Sequence, residues 1–193
     1  MKLILATNNQ NKVREIREIL GGKFDETVTL KEAGIDHETI EDGKTFYENA
    51  LKKAREITEL TGLPALADDS GLCVPALGGA PGIYSARYGS LDGHDASDKR
   101  NREVLLENMK DITDRRAYFV SAVVLTMPDG KIYSAEGKFF GEIMYEEKGE
   151  NGFGYDSLFY VPEYKMTSAE MSPEKKNSMS HRGKALRELA KQL

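Results

Sequence analysis

Asp68, Asp69 and Ser70 follow directly on the apolar run 63–67, so two carboxylates and a hydroxyl stand where a short buried strand should end. Gly62 and Pro64 punctuate the start of that run, and its apolar residues stop at Asp68. In an α/β protein, carboxylates at the carboxyl end of a strand stand where ligand crevices form. Two adjacent acids repel each other unless a proton or a cation relieves them. Mg²⁺ suits such a pair, because it takes oxygen ligands and is held by one or two carboxylates plus substrate phosphates. Asp, Ser and Gly are also ordinary turn residues, so this stretch alone leaves a metal site and a surface turn both open.

Further groups with usable chemistry lie along the chain. Thr7, Asn8, Asn9, Gln10, Asn11 and Lys12 form a polar strand-to-helix junction, where helix N–H groups and the dipole favour phosphate and Lys12 adds a full charge. Neither the P-loop nor the dinucleotide glycine fingerprint is present there. Glu38, Glu41 and Asp42 occupy one loop, and any of them could join Asp68 and Asp69 in an acidic cluster. Phe153, Gly154, Tyr155 and Asp156 set two aromatic rings and an acid among glycines, which suits base stacking or a bend that buries the rings. Lys176, His181 and Arg182 supply cations and a tunable donor near the carboxyl end, apt for carbonyl oxygens or phosphates. The three histidines include no close pair, so zinc is not expected, and no Ser-His-Asp order or activated cysteine stands out.

These groups need a scaffold, and the periodicities describe one. Residues 2–6 read as a strand, and Val13, Ile16, Ile19 and Leu20 share one face of a helix that Gly21 and Gly22 end. A strand over 27–30 follows. Thr45-Phe46-Tyr47-Glu48 is a capping box opening a helix whose buried stripe is Phe46, Ala50, Leu51, Ala54, Ile57 and Leu60. Residues 78–82 are too glycine-rich for regular structure, and 95–109 read as a helix. Strands over 116–126 and 131–140, joined through Pro128-Asp129-Gly130, predict a hairpin. Ser172-Pro173 starts a short helix, and a last helix from Ser180 buries Ala185, Leu186, Leu189 and Leu193, with His181 and Arg182 outside that stripe. The alternation gives an α/β class, and the hairpin makes the sheet mixed.

Composition sets the bounds. A chain of 193 residues with 39% hydrophobic and 31% charged residues supports one substantial core, or two lobes sharing a sheet. It holds no apolar run near the roughly 20 residues a membrane helix needs and no signal-peptide pattern, and its single cysteine, Cys73, fits a reducing cytoplasm. The net charge of −5 argues against a nucleic-acid-coating protein, although seven basic against three acidic residues from position 165 onward make the tail locally positive.

Six motifs, in order and spread over nearly the whole chain, give this sequence a family likeness. They are Thr7-Asn8-Asn9-x-Asn11-Lys12, Thr45-Phe46-x-Glu48-Asn49-Ala50, Ala67-Asp68-Asp69-Ser70-Gly71-Leu72, the segment 79–88, Gly152-Phe153-Gly154-Tyr155-Asp156 and Ser180-His181-Arg182-Gly183. Together they resemble the inosine or xanthosine triphosphate pyrophosphatases, enzymes of deaminated purine nucleotides. The resemblance implies one domain over 1–193 with an elongated, two-lobed α/β fold around a mixed sheet and an active-site cleft between the lobes. It implies a cytoplasmic homodimer and a Mg²⁺-dependent cleavage of ITP, dITP and XTP to monophosphate and pyrophosphate, which cleanses the nucleotide pool. By resemblance, 7–12 cradles the triphosphate, and Asp69 is the general base or metal-bound acid. Glu41 resembles the second metal carboxylate, with Glu38 and Asp42 as alternatives because Ile40-Glu41-Asp42-Gly43 departs from the usual Glu-Thr-Gly. Ser70, Phe153, Gly154, Tyr155, Asp156, Lys176, His181 and Arg182 match nucleotide and base contacts. Ser157 stands where the family commonly has proline.

Overall fold

Strand β1 (Lys2–Leu5) alternates its apolar side chains between two covered faces, and this sets the plan of the amino-terminal part of the chain. The computed structural model describes residues 1–91 and 95–193. They divide into two compact units, one of residues 1–69, 121–137 and 181–193, the other of 70–120 and 138–180.

In the first unit β1 pairs in parallel with β2 (Glu26–Thr29) and with β3 (Ala65–Cys73). Leu3, Leu5, Leu66, Val123 and Leu125 pack with α1 (Gln10–Leu20) and α5 (His181–Ala190). Ile4, Ala6, Val28, Ala65, Ala67 and Val124 pack with α2 (Phe46–Thr61). Strand side chains alternate with a period of two, so covering both faces demands the continuous apolar runs seen in 3–6, 65–67 and 123–125.

In the second unit α3 (Asp98–Asn108) contributes Leu105, and α4 (Pro173–Met179) is capped by Ser172. The core gathers Leu72, Val74, Met109, Phe119, Phe139, Phe159 and Val161, with the Phe119 and Phe159 ring centroids 4.6 Å apart. Strand β4 (Arg116–Thr126) adjoins β5 (Ile132–Ile143), and β6 (Phe159–Val161) pairs antiparallel with β5 and with β7 (Met166–Thr167). The seven strands run β2-β1-β3-β4-β5-β6-β7, and parallel and antiparallel pairs together make the sheet mixed, as expected for this α/β chain. Among the described residues no helix is long and apolar enough to cross a membrane.

Several local expectations change. Strand β3 does not stop at Asp68 but continues through Asp69, Ser70 and Gly71 to Cys73, because partners elsewhere satisfy its acids. Thr45 caps α2 through the Glu48 N–H, but Glu48 reaches back to the Lys44 N–H rather than to that of Thr45. Helix α3 starts at Asp98 behind the Ser97 cap, and β5 runs three residues beyond 140. Gly82 opens a 3-10 segment, Gly82–Ser90, rather than closing an irregular loop. Leu60 is 60% exposed and Leu193 42%, so neither belongs to a buried stripe; each stands at or beyond the end of its helix, past the packed face.

Candidate active site

Asp68 and Asp69 are both buried, and consecutive strand residues point to opposite faces. Asp68 has the parity of Leu66 and faces α1 and α5. Its carboxylate is paired with Lys12 of α1 (Nζ–Oδ2 2.6 Å) and Arg182 of α5 (Nε–Oδ2 3.2 Å), and it accepts a hydrogen bond from Ser121 of β4. Burial alone would raise the proton affinity of Asp68, but Arg182 and Lys12 outweigh it and hold the carboxyl far below the usual carboxylate range. Arg182 is itself only 3% exposed, and its Nη1 lies 2.8 Å from Glu15 Oε2. The result is a buried chain of alternating charge, Lys12–Asp68–Arg182–Glu15. Burial lowers the Lys12 proton affinity, with Asp68 opposing that shift.

Asp69 has the parity of Ala67 and faces α2. Asn49 of that helix is fully buried and donates to Asp69 Oδ2 at 3.1 Å, while its own carbonyl oxygen accepts from the Gly43 N–H at 2.8 Å. Lys53, one turn further along α2, sets its Nζ 2.7 Å from Glu41 Oε1, 3.5 Å from Asp69 Oδ1 and 3.1 Å from the Asp68 carbonyl oxygen. Burial pushes the Asp69 carboxyl up, Lys53 opposes, and Glu41 reinforces the rise. Lys53 is held above its ordinary value: burial disfavours its charge, but Asp69 and Glu41 together favour it more. Two carboxylates thus converge on a single cation. Asp69 and Glu41 are hard oxygen donors of the kind that Mg²⁺ takes.

The loop that carries Glu41 is fastened along α2 at several further points. Lys52 Nζ lies 2.7 Å from Asp42 Oδ1, and both His37 Nε2 and Thr39 Oγ1 reach Glu56 Oε2, at 2.7 and 2.6 Å. Asp42 thus pairs at the surface with Lys52. Of the three acids considered in this loop, Glu41 is the one that shares Lys53 with Asp69.

At the 7–12 junction Asn9 caps α1, its Oδ1 accepting from the N–H groups of Asn11 (3.0 Å) and Lys12 (3.4 Å). Thr7 Oγ1 accepts from the Asn9 N–H, Asn8 Oδ1 accepts from the Lys31 N–H, and Gln10 donates to the Asn8 carbonyl. The segment is thus already shaped as a helix-capping turn, and Lys12 points inward to Asp68.

In the second unit, Asp156 accepts from the Phe153 N–H at 2.9 Å and pairs with Lys176 at 2.6 Å. Lys176 Nζ stands 5.2 Å from the centre of the Phe153 ring. Tyr155 is buried in the core and its hydroxyl donates to the Ser85 carbonyl, so of the two aromatic rings in this motif only Phe153 is partly open. Gly152 is required here: its φ is +82°, and a Cβ would meet the Asp156 carboxylate. Ser70 is partly buried on β3.

His181 and Arg182 are both buried, which overturns the expectation that they lie outside the packed face of α5. Glu15, Asn49, Lys53 and Ser121 are the residues that the reading for chemistry passed over. Asn49 and Lys53 carried a signal, since they stand four apart beside the apolar stripe of α2 and so share a face.

A family model described as the Ham1 family matches residues 3–192. The chain belongs to the Ham1 family. A dITP/XTP pyrophosphatase of Desulfotalea psychrophila is 50% identical over 187 residues, covering 97% of this chain and 82% of that protein. One from Thermus thermophilus is 50% identical over 191 residues, covering 98% and 90%. Among solved structures, the Staphylococcus aureus Ham1 protein superposes with a TM-score of 0.89 at 40% identity, over 98% of this chain and 96% of that one. A HAM1 protein from Coxiella burnetii gives 0.90 at 40% identity, over 99% and 97%.

Proposed function

We propose that this Ham1-family chain is a nucleoside triphosphate pyrophosphatase that hydrolyses dITP, XTP and ITP to the monophosphate and pyrophosphate, with Mg²⁺. The observation that carries the reading is the convergence of buried Asp69 and half-buried Glu41 on one cation, in a chain whose relatives are named dITP/XTP pyrophosphatases. Cytoplasmic action and a homodimer belong to the same reading and rest on the family resemblance.

Attack on an α-phosphorus brings an oxygen nucleophile to an anionic centre, so charge must be neutralised and the water oriented. Mg²⁺, when bound, supplies positive charge at the phosphoanhydride oxygens. Asp69 is the group that orients the water and takes its proton: Asn49 fixes one of its oxygens, and burial raises its basicity toward that task. Thr7, Asn8, Asn9, Gln10, Asn11 and Lys12 form the triphosphate cradle. Lys12 comes to it already engaged with Asp68, so triphosphate binding loosens an existing ion pair rather than recruiting an idle cation.

Ser70, Phe153, Gly154, Asp156, Lys176 and His181 form the nucleotide contact set, with Phe153 as the stacking ring, while Tyr155 and Arg182, buried against Ser85 and between Asp68 and Glu15, support that set from behind. Hypoxanthine and xanthine carry a 6-oxo acceptor where adenine carries a 6-amino donor. Donor groups facing the 6-position are left unmatched by adenine, and a buried mismatch of this kind can reach factors of roughly 10⁴. The test is product identity. Incubation with dITP and Mg²⁺ yields dIMP and pyrophosphate in equal amounts, and chelation of the metal stops it; release of orthophosphate with dIDP would refute the cleavage site.

A further inference from the structure

Gly154 has a left-handed backbone, φ +62°, and the polar atoms of its main chain are taken by α3. Its N–H donates to Asp98 Oδ2 at 2.8 Å, and its carbonyl accepts from Arg102 Nη1 at 2.8 Å. Asp98 and Arg102 are four residues apart, so both project from one face of α3. Arg102 also pairs with Glu147 (Nε–Oε2 2.9 Å), and the same carboxylate oxygen accepts from Ser157 Oγ at 2.8 Å. The segment 153–157 is thereby tied to α3 at its glycine and, through Glu147, at its far end. Within the segment, the Asp156 N–H donates to the Phe153 carbonyl at 3.2 Å and the Tyr155 hydroxyl anchors on Ser85. Main chain, tyrosine and aspartate are thus occupied in holding shape, while the Phe153 ring is partly open.

We propose that Asp98 and Arg102 are positioning residues for nucleotide recognition: by clamping both sides of Gly154 they present the Phe153 ring as a fixed stacking surface for a purine. The inference rests on the reading of 153–156 as nucleotide contacts. Hydrogen bonds with one charged partner are the stronger kind, and two of them converge here on a single glycine. A loop ordered before binding spares the ligand the cost of ordering it.

Steady-state constants for dITP, measured on Asp98→Ala, Arg102→Ala, Phe153→Ala and the double variant Asp98→Ala/Phe153→Ala, test this. Asp98→Ala and Arg102→Ala should each raise KM about threefold to tenfold, leaving kcat within about twofold of the parent. Asp98→Asn keeps an oxygen that accepts from the Gly154 N–H and should recover most of the loss. The double variant should raise KM no further than Phe153→Ala alone. If Phe153→Ala raises KM while Asp98→Ala and Arg102→Ala do not, or if the double variant is additive, the positioning role is overturned and the nucleotide-contact reading survives. If Phe153→Ala leaves KM unchanged, that reading fails and takes the inference with it. Should Asp98→Ala not fold, Arg102→Lys keeps the cation beside Glu147 but loses the planar fork; its KM must rise, and an unchanged KM overturns the proposal.

Discussion

Asp68 and Asp69 are neighbours in β3, yet their carboxylates serve opposite faces of the sheet. Asp68 turns to Lys12 and Arg182, and Asp69 to Asn49 and Lys53. The repulsion that adjacent acids suggest on paper is therefore relieved by geometry first and by cations second. Asp68 is consumed in a buried ion-pair chain that joins α1, β3 and α5. Asp69 is left as the acid with raised proton affinity and a carboxylate companion, Glu41, across Lys53.

The Asp68 side of this division is a stability claim. Arg182→Ala takes the cation from buried Glu15 and one of the two cations from buried Asp68, which keeps Lys12, and should cost about 3–5 kcal/mol of folding free energy. Denaturant midpoints of the variant and the parent measure it. An unchanged midpoint would show that Arg182 does not neutralise Asp68 in the folded chain.

The Asp69 side is a positioning claim. Asn49→Ala removes the donor to Asp69 and the acceptor of the Gly43 N–H. Loss of such a supporting partner typically costs about 10–100-fold in activity or metal affinity. The drop should appear in kcat and in the Mg²⁺ concentration needed for half-maximal rate, with KM for dITP nearly kept. A variant that is slow only through weakened nucleotide binding would contradict the role.

Close packing of β5 on α5 gives a third expectation. A Cβ on Gly137 would run into the His181 carbonyl and stand 2.7 Å from the Ala185 N, both backbone atoms. Gly137→Ala should destabilise by about 1–3 kcal/mol. Leu60→Ser, at an exposed site, should stay within about 0.5 kcal/mol. Equal melting temperatures for these two variants would count against the packing described.

What could be read from sequence was whatever local chemistry decides. The bounds of β4, the Pro128-Asp129-Gly130 turn and the Thr45 cap depend on residues within a few positions of one another, and they stand where the sequence places them. The continuation of β3 past Asp68 was not legible. It depends on Arg182, 114 residues away, and on Ser121, 53 residues away, which make a buried carboxylate tolerable. Lys53 went unremarked for the same reason: on a helix it is an ordinary solvated lysine until the loop bearing Glu41 folds back onto it. Tyr155 and Phe153 looked equivalent as stacking rings, and only burial separates them.

The measurement that bears most directly on the central claim is pyrophosphate release from dITP, XTP and dATP with Mg²⁺, for the parent chain and for Asp69→Asn. The account predicts kcat/KM for dITP and XTP at least about 100-fold above dATP, with near-complete loss of turnover in a folded Asp69→Asn. Comparable rates on dATP, or near-parental turnover without the Asp69 carboxylate, would contradict it.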